Sequence, residues 1–206
     1  MKIKVAIVNY GMGNIHSVFR KLTQLGIDPV VATTTEELLP ADKIILPGVG
    51  HFGKAINNLK SQGLFDALNE AVLIKKKPIL GICLGMQLMA KHSQEGDQEG
   101  FGWFDSEVVK FDIQDKFKYK VPQTGWNTIN FCKPSKLLVN IDDKSEFYFL
   151  HAYHFGLTKK EDILAKTFFE NEFVSAVEKE NIFATQFHPE KSHEAGIQMF
   201  KNFINL

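Results

Sequence analysis

The sequence PILGICLGMQ at residues 78–87 contains the pattern Gly-x-Cys-x-Gly between an apolar run and a helix-forming segment. With sulfur in place of oxygen, this is the pattern of a nucleophile elbow, a sharp turn that lifts a reactive side chain above the end of a strand. Glycines two residues before and two residues after Cys83 leave room for the crowded backbone. We therefore predict a strand over residues 78–82, a helix over residues 84–92, and Cys83 as a nucleophile at the start of that helix, where the helix dipole favours a thiolate.

Outward from this junction, the pattern of secondary structure changes along the chain. Before it, short β-branched runs alternate with helical segments, which is typical of a mainly parallel sheet covered on both faces. After the polar, glycine-rich loop at residues 94–102, most segments are strand-like and are predicted to pair in a more antiparallel way. A final amphipathic helix is predicted over residues 192–206. Since no repeat or linker interrupts the pattern, the sequence predicts one α/β domain over residues 1–206.

Composition excludes several classes of function. The formal net charge is +0 and the pI is about 7.1, so nothing favours nucleic acid or an anionic membrane as a partner. Two cysteines are too few for a disulfide framework. The first residues read as a buried strand rather than a signal peptide, and no apolar run is long enough to span a membrane. We therefore expect a cytoplasmic protein.

A cysteine nucleophile needs a base that a third group orients. Of the seven histidines, His188 is the best candidate, since it follows a late strand and is separated from Glu190 only by Pro189. An extended His-Pro-Glu segment would place the imidazole and the carboxylate on the same side. Glu190 could then bind one ring nitrogen and leave the other for the thiolate.

The segment Pro47-Gly48-Val49-Gly50 follows another predicted strand. Backbone N–H groups in a glycine-rich turn can stabilise an oxyanion, as can the N–H of Leu84. An ordinary strand-to-helix turn is an equally good interpretation of the segment by itself. His151 and His154 lie three residues apart, but a metal site needs more ligands than this pair, so we expect neither a metal nor a cofactor.

Three of these segments together resemble a known family. GICLGMQ at residues 81–87, LPGVG at residues 46–50 and FHPEKS at residues 187–192 look like the motifs of the class I (triad) glutamine amidotransferases. The resemblance spans essentially the whole chain. Further segments make it similar to the glutaminase subunits of imidazole glycerol phosphate synthases: NYGMGNI at residues 9–15, the pattern Pro-x-x-Gly-Trp-Asn at residues 122–127 and YFLHAY at residues 148–153.

This resemblance implies a flavodoxin-like three-layer α/β/α fold and hydrolysis of L-glutamine to glutamate and ammonia, for use in histidine biosynthesis. By position it implies a catalytic triad and an oxyanion segment with one further N–H donor. It also implies residues that hold glutamine and residues that face a synthase subunit. The triad is Cys83, His188 and Glu190, and the oxyanion set is Gly48, Val49, Gly50 and Leu84. The residues that hold glutamine are Gln87, Ala152 and Tyr153. The residues that face the synthase subunit are Asn14, Trp126, Asn127, Tyr148 and Lys191.

The partner that the resemblance implies is a (β/α)₈-barrel synthase subunit, which would form a heterodimer with this chain and receive ammonia through a sheltered passage. One segment departs from the family pattern, because Gln123-Thr124 stands where His-Met or His-Ile is usual. Since this segment faces the partner, a paralogue that feeds a sugar amidotransferase making acetamidino groups is an alternative. A silent binding module of the same fold and a cysteine peptidase are alternatives of other classes.

Overall fold

The structure, a computed structural model, describes residues 3–156 and 158–206. The strands within these ranges are β1 Val5–Val8, β2 Val30–Ala32, β3 Lys43–Gly48, β4 Ile79–Cys83, β5 Ala90–Ser93, β6 Gln98–Glu99, β7 Phe104–Lys110, β8 Gln123–Thr128, β9 Asn130–Phe131, β10 Glu146–His151, β11 Tyr153–Phe155, β12 Ile163–Phe169, β13 Asn171–Lys179 and β14 Ile182–Thr185. The α-helices are α1 Ile15–Gln24, α2 Thr35–Leu38, α3 Phe52–Ser61, α4 Leu64–Asn69, α5 Leu84–Gln87 and α6 His193–Ile204.

The centre of the main sheet is parallel, as the alternation of strands and helices predicts. Its strands lie in the order β2-β1-β3-β4-β14 and all run the same way. Successive residues of β1 point to opposite faces, so both faces must be covered. Ala6 and Val8 join a core cluster with residues of α3 and α4, whereas Val5 and Ile7 join a second cluster with residues of α1 and α6. The result is the expected three-layer arrangement.

The later part of the sheet is more antiparallel, also as predicted. Beyond β14, the order continues through β13, β11, β7, β5 and β6, and the pairs that β13 makes with β14, β11 and β12 are all antiparallel. Strands β8 and β10 form a separate antiparallel pair. Because β14 is the last parallel strand beside β4, the residues that follow β14 are placed next to the end of β4.

The prediction of one helix over residues 84–92 is wrong. Helix α5 ends at Gln87, and residues 90–93 form strand β5, which pairs with β6 and β7. The segment is buried on all sides from Leu84 to Ala90, so its apolar residues carry no helical stripe. Its backbone groups find partners in the following segment instead, including bonds from Phe101 N to Leu88 O and from Gly102 N to Ala90 O. Tertiary pairing therefore overrides the local helical preference.

The last helix ends against a buried lysine. Lys43, the first residue of β3, donates from Nζ to the carbonyl oxygens of Phe203, Ile204 and Leu206 at 2.9, 2.9 and 3.0 Å. The carbonyls at the end of a helix have no partners inside the helix, and a cation there also opposes the negative end of its dipole. Lys43 thus fixes the C-terminal end of α6, the helix that follows the His188 segment.

We expect Lys43→Met to lower the free energy of unfolding by about 2–3 kcal/mol, because the three carbonyls at the end of α6 lose the charged donor that they share. Chemical denaturation measures the change. Lys201→Met on the exposed side of α6 is the control and should change the free energy by less than about 0.5 kcal/mol. Equal effects of the two substitutions would contradict the assigned role of Lys43.

No helix within the described ranges is both long enough and apolar enough to cross a membrane.

Candidate active site

Cys83 lies at the sharp turn that the sequence predicts. It is the last residue of β4 and caps α5, with φ 55° and ψ −110°, a strained conformation for a residue with a side chain. A Cβ atom on Gly81 would stand 2.6 Å from Cε of Met89, and one on Gly85 would overlap the carbonyl oxygen of Leu46. The two glycines are therefore required, because α5 packs directly onto the sheet behind Cys83.

His188 and Glu190 form a buried pair. Nδ1 of His188 lies 2.8 Å from Oε1 of Glu190, and both side chains are almost fully inaccessible to solvent. The predicted extended geometry is wrong, because residues Pro189–Lys191 form a 3₁₀ turn. The turn still brings the carboxylate onto the ring. The main chain of His188 is held on both sides, by a bond from its N–H to Tyr148 O at 2.8 Å and by a bond from Ser192 Oγ to its carbonyl at 2.6 Å.

Cys83 is the second neighbour that affects the protonation of the His188 ring. Burial alone would lower the pKa of the imidazole, but the neighbouring Cys83 and Glu190 outweigh burial and raise that pKa above its usual value. Nε2 of His188 is buried and forms no hydrogen bond of standard geometry within the described residues. The strongest influence that raises the pKa of the ring is the neighbouring Cys83. The arrangement favours a protonated imidazole between two groups that can carry negative charge.

The glycine-rich segment after β3 borders the nucleophile. Gly48 pairs with Cys83 in the register of β3 and β4, and the next two residues, Val49 and Gly50, line the cavity above the sulfur. Gly50 has a φ of 108°, a conformation that favours glycine. The hydroxyl of Tyr10 donates to the carbonyl of Pro47 at 3.0 Å and so holds the start of the segment.

Tyr10 is fully buried beneath this segment. Burial, followed by the proximity of Cys83, raises the pKa of Tyr10 far above its usual range. The hydroxyl therefore stays protonated and acts as a donor.

A cavity of about 170 Å³ opens directly over Cys83. The predicted residues Leu84, Gln87, Ala152 and Tyr153 all line it, together with the glycine-rich turn. The side chain of Gln87 is fixed, since its Nε2 donates to Tyr153 O at 2.9 Å and to Gln186 Oε1 at 3.1 Å. The cavity is therefore small, partly enclosed and lined by oriented polar groups.

Two residues at this site were missed by the sequence analysis. Glu95 lines the cavity, and its Oε2 accepts a bond from Phe52 N at 2.8 Å. Gln186 is fully buried, and its Nε2 lies 3.7 Å from the sulfur of Cys83. Glu95 is hidden in a loop that is polar throughout, so its sequence carries no distinguishing signal. Gln186 does carry one, because it and Thr185 are the two polar residues in the otherwise apolar run of residues 182–187 before His188.

The two histidines considered for a metal are used inside the protein. Nδ1 of His151 lies 2.8 Å from Tyr153 O, and Nδ1 of His154 lies 2.7 Å from Phe155 O. Burial lowers the pKa of both rings, to about 3 for His151, so both are neutral near pH 7. In the part of the chain that the structure describes, no group of three His, Cys, Asp or Glu side chains is placed to hold a metal ion.

Aromatic and basic side chains gather on one exposed surface near the site. Trp126 is 44% exposed and stacks on the ring of His193 with centroids 4.7 Å apart. Its other neighbour is Tyr148, edge-on at 5.9 Å, and Nζ of Lys191 lies 5.3 Å from the Tyr148 ring. We call Trp126, Tyr148, Lys191 and His193 the aromatic surface. It lies close to the His188–Glu190 pair along the chain, because Lys191 lies in the turn that contains Glu190.

The remaining two residues of the predicted partner set have bonds within the chain. Asn127 donates from Nδ2 to Phe168 O at 2.9 Å. The side chain of Asn14 accepts a bond from Ser17 N at 3.4 Å and caps α1, a role that asparagine often takes.

Comparison with known proteins identifies the family of this chain. The family model for glutamine amidotransferase class-I matches residues 6–206. "Imidazole glycerol phosphate synthase subunit HisH 2" of Methanococcus maripaludis is 45% identical, over 97% of this chain and 98% of the relative. The protein of the same name from Pseudomonas aeruginosa is 41% identical over 98% and 99%. "Imidazole glycerol phosphate synthase subunit HisH 1" of Campylobacter jejuni is 44% identical over 98% and 100%.

Solved structures share the fold at much lower sequence identity. The PurLQS structure from Thermotoga maritima superposes with a TM-score of 0.77 at 17% identity, covering 100% of this chain and 99% of the other. A glutamine amidotransferase from the same organism has a TM-score of 0.64 at 19% identity, covering 98% and 83%. On the strength of the family model and the near full-length relatives, this chain belongs to the class I glutamine amidotransferases.

Proposed function

We propose that this protein, acting as one glutaminase domain over residues 1–206, hydrolyses L-glutamine to glutamate and ammonia as the glutaminase subunit of an imidazole glycerol phosphate synthase. The observation that carries the proposal is that Cys83 lines one small cavity and neighbours His188, whose ring is paired with Glu190. The names of the near full-length relatives support the histidine pathway over the acetamidino-sugar alternative.

The cavity suits an amino acid with a short amide side chain. Glu95 is the carboxylate in its lining, and we assign it to the α-ammonium group of glutamine. The main chain at Ala152 and Tyr153 and the amide of Gln87 supply polar groups for the rest of the substrate. A peptide substrate would need an open groove, so the enclosed volume of about 170 Å³ argues against a cysteine peptidase.

The reaction then follows from the positions of the side chains. His188 accepts the proton of Cys83, and the thiolate attacks the side-chain amide carbon of glutamine. His188 returns the proton to the departing nitrogen, so that the C–N bond breaks and ammonia leaves. Water, deprotonated by His188, attacks the resulting thioester, releases glutamate and restores the thiolate. Glu190 keeps the imidazole in the tautomer and orientation that each proton transfer needs.

The negative oxygen of each tetrahedral intermediate needs hydrogen-bond donors. We assign this role to the N–H of Leu84 and to the turn of Gly48, Val49 and Gly50. Loss of one such donor costs about 2.7–4 kcal/mol in comparable sites, so a turn that is not aligned would keep the enzyme nearly silent. A partner that aligns the turn would switch the activity on.

The aromatic surface is the proposed contact with that partner, together with Asn14 and Asn127. An exposed tryptophan beside a half-buried tyrosine is typical of a protein-binding surface, in which aromatic residues are enriched. The partner we propose is a (β/α)₈-barrel synthase subunit in a heterodimer. Because Lys191 lies in the turn of Glu190 and His193 follows that turn, a subunit docked on this surface would sit next to the site where ammonia is released.

The test measures glutamate release by the chain alone and with the synthase subunit from the same genome. We expect low activity alone and an increase of about 10²-fold or more in the complex. A glutamine analogue with an electrophile in place of the side-chain amide should label Cys83, as shown by mass spectrometry. No glutamate release and no label in the complex would favour the silent binding module.

Glu190→Gln tests the orienting carboxylate. The substitution keeps the shape but presents an N–H to the ring, so the imidazole adopts the wrong tautomer. We expect kcat of the complex to fall by about 10²–10⁴-fold with little change in melting temperature. The exposed Glu194, four residues on, provides the control, since Glu194→Gln should leave kcat unchanged. A Glu190→Gln enzyme with normal kcat would remove Glu190 from the mechanism.

A further inference from the structure

Gln186 is a buried amide to which the proposed reaction gives no role. Its side chain is fully inaccessible to solvent and ends 3.7 Å from the sulfur of Cys83. Its main chain is held by a bond from its N–H to Ser175 O at 2.8 Å. A buried amide beside a nucleophile has two possible orientations, with either its oxygen or its nitrogen toward the sulfur.

The surrounding bonds decide this orientation. Tyr153 O is a main-chain carbonyl and can only accept, so the Gln87 atom 2.9 Å away must be the NH₂ nitrogen. That same nitrogen lies 3.1 Å from the Gln186 side chain, which must therefore present its oxygen to Gln87. The NH₂ group of Gln186 consequently faces Cys83. The main-chain carbonyl of Tyr153 thus determines, through the side-chain amides of Gln87 and Gln186, that a nitrogen atom of Gln186 faces the sulfur.

We propose that Gln186 is a catalytic residue that donates a hydrogen bond to the Cys83 thiolate and holds the sulfur in place for attack. The proposal rests on the proposed glutaminase function. In the thiol form, Sγ also lies 3.7 Å from the carbonyl of Leu150, to which it can donate. Once the proton has moved to His188, the Leu150 carbonyl can no longer form a hydrogen bond with the sulfur, whereas the Gln186 N–H can still donate one to the thiolate. The amide therefore favours the ionised form over the neutral form.

The test is the pH dependence of Cys83 alkylation by iodoacetamide in the full chain, quantified by mass spectrometry on the Cys83 peptide. Only the thiolate reacts, so the midpoint of the rate profile reports the ionisation of Cys83. Gln186→Met keeps the length but removes the donor, and we expect it to move the midpoint upward by about one pH unit or more. An unchanged midpoint would overturn the proposal.

Gln186→Glu keeps the shape and the acceptor toward Gln87 but turns a carboxylate toward the sulfur. It should move the midpoint upward at least as far, and it keeps the test decisive if the methionine variant does not fold. The control is Asn202→Leu, which removes another buried amide, bonded to Leu137 O and Val139 O away from the site. Asn202→Leu should lower the melting temperature and leave the midpoint of the alkylation profile unchanged. If it shifted the midpoint as far as the Gln186 substitutions do, Gln186 would affect Cys83 only through the overall stability of the protein.

Alkylation needs neither glutamine nor a partner subunit. A shifted midpoint in a chain without glutaminase activity would therefore refute the proposed function and retain the role of Gln186. An active enzyme with an unshifted midpoint in both Gln186 variants would support the proposed function and refute the role of Gln186.

Discussion

Replacing Cys83 with alanine should abolish glutamate release by the complex, with kcat lower by about 10⁴–10⁶-fold. The methyl group cannot attack the amide, so no thioester forms, and the remaining groups only bind and polarise the substrate. The fold should persist, because the elbow depends on Gly81 and Gly85 and alanine is smaller than cysteine. Steady-state glutamate release and the melting temperature are measured on the same preparation.

Cys132 provides the matched control for this substitution. It is the other free cysteine among the described residues and lies on the exposed surface. Cys132→Ala should keep full activity and full labelling of Cys83 by the glutamine analogue. Activity that survives Cys83→Ala would refute the thioester mechanism, whatever the fold of the chain.

Replacing Gly85 with alanine should destabilise the protein by more than about 4 kcal/mol, although alanine normally favours a helix. The added methyl group would overlap the carbonyl oxygen of Leu46, a main-chain atom in the centre of the sheet. Since neither α5 nor β3 can retreat without opening the core, the strain has no inexpensive release. We expect a loss of melting temperature of about 10 °C or more, or failure to recover folded protein.

Gly26→Ala separates this clash from the general cost of replacing a glycine. Gly26 has a φ of 76°, and a Cβ atom at this residue would have no heavy atom within 4 Å, so only backbone strain opposes the change. That strain is worth about 1–2 kcal/mol. Similar losses for the two variants would show that the contact between α5 and β3 is not what constrains Gly85.

Much of the fold followed from local patterns. The parallel centre and the more antiparallel later part agree with the alternation of segments, and the cap at Asn14 follows from the residue type. The helix predicted over residues 84–92 failed where the chain is buried on all sides. In such a segment the apolar residues show no periodicity that separates a helix from a strand, and bonds from Phe101 and Gly102 decided the outcome.

In the candidate site, too, some features follow from local sequence and others depend on tertiary contacts. Cys83 was predictable because a strained turn needs glycines at fixed positions, and His188 because a nucleophile needs a base. The contact with Glu190 was expected for a reason that proved wrong, since a 3₁₀ turn rather than an extended segment produces it. Glu95 could not be predicted, because nothing local distinguishes one carboxylate in a polar loop from its neighbours.

The sequence by itself determined the class of fold and predicted Cys83 and His188 as the reactive pair, because strained turns and reactive side chains depend on residue types at short spacing. The tertiary structure alone decided which groups surround the sulfur. Gln186 lies 103 positions from Cys83 in the chain, and it reaches the nucleophile only because β14 pairs with β4 in parallel. The orientation of its amide is then set by the carbonyl of Tyr153 on a third strand, so it depends on contacts that no local pattern encodes.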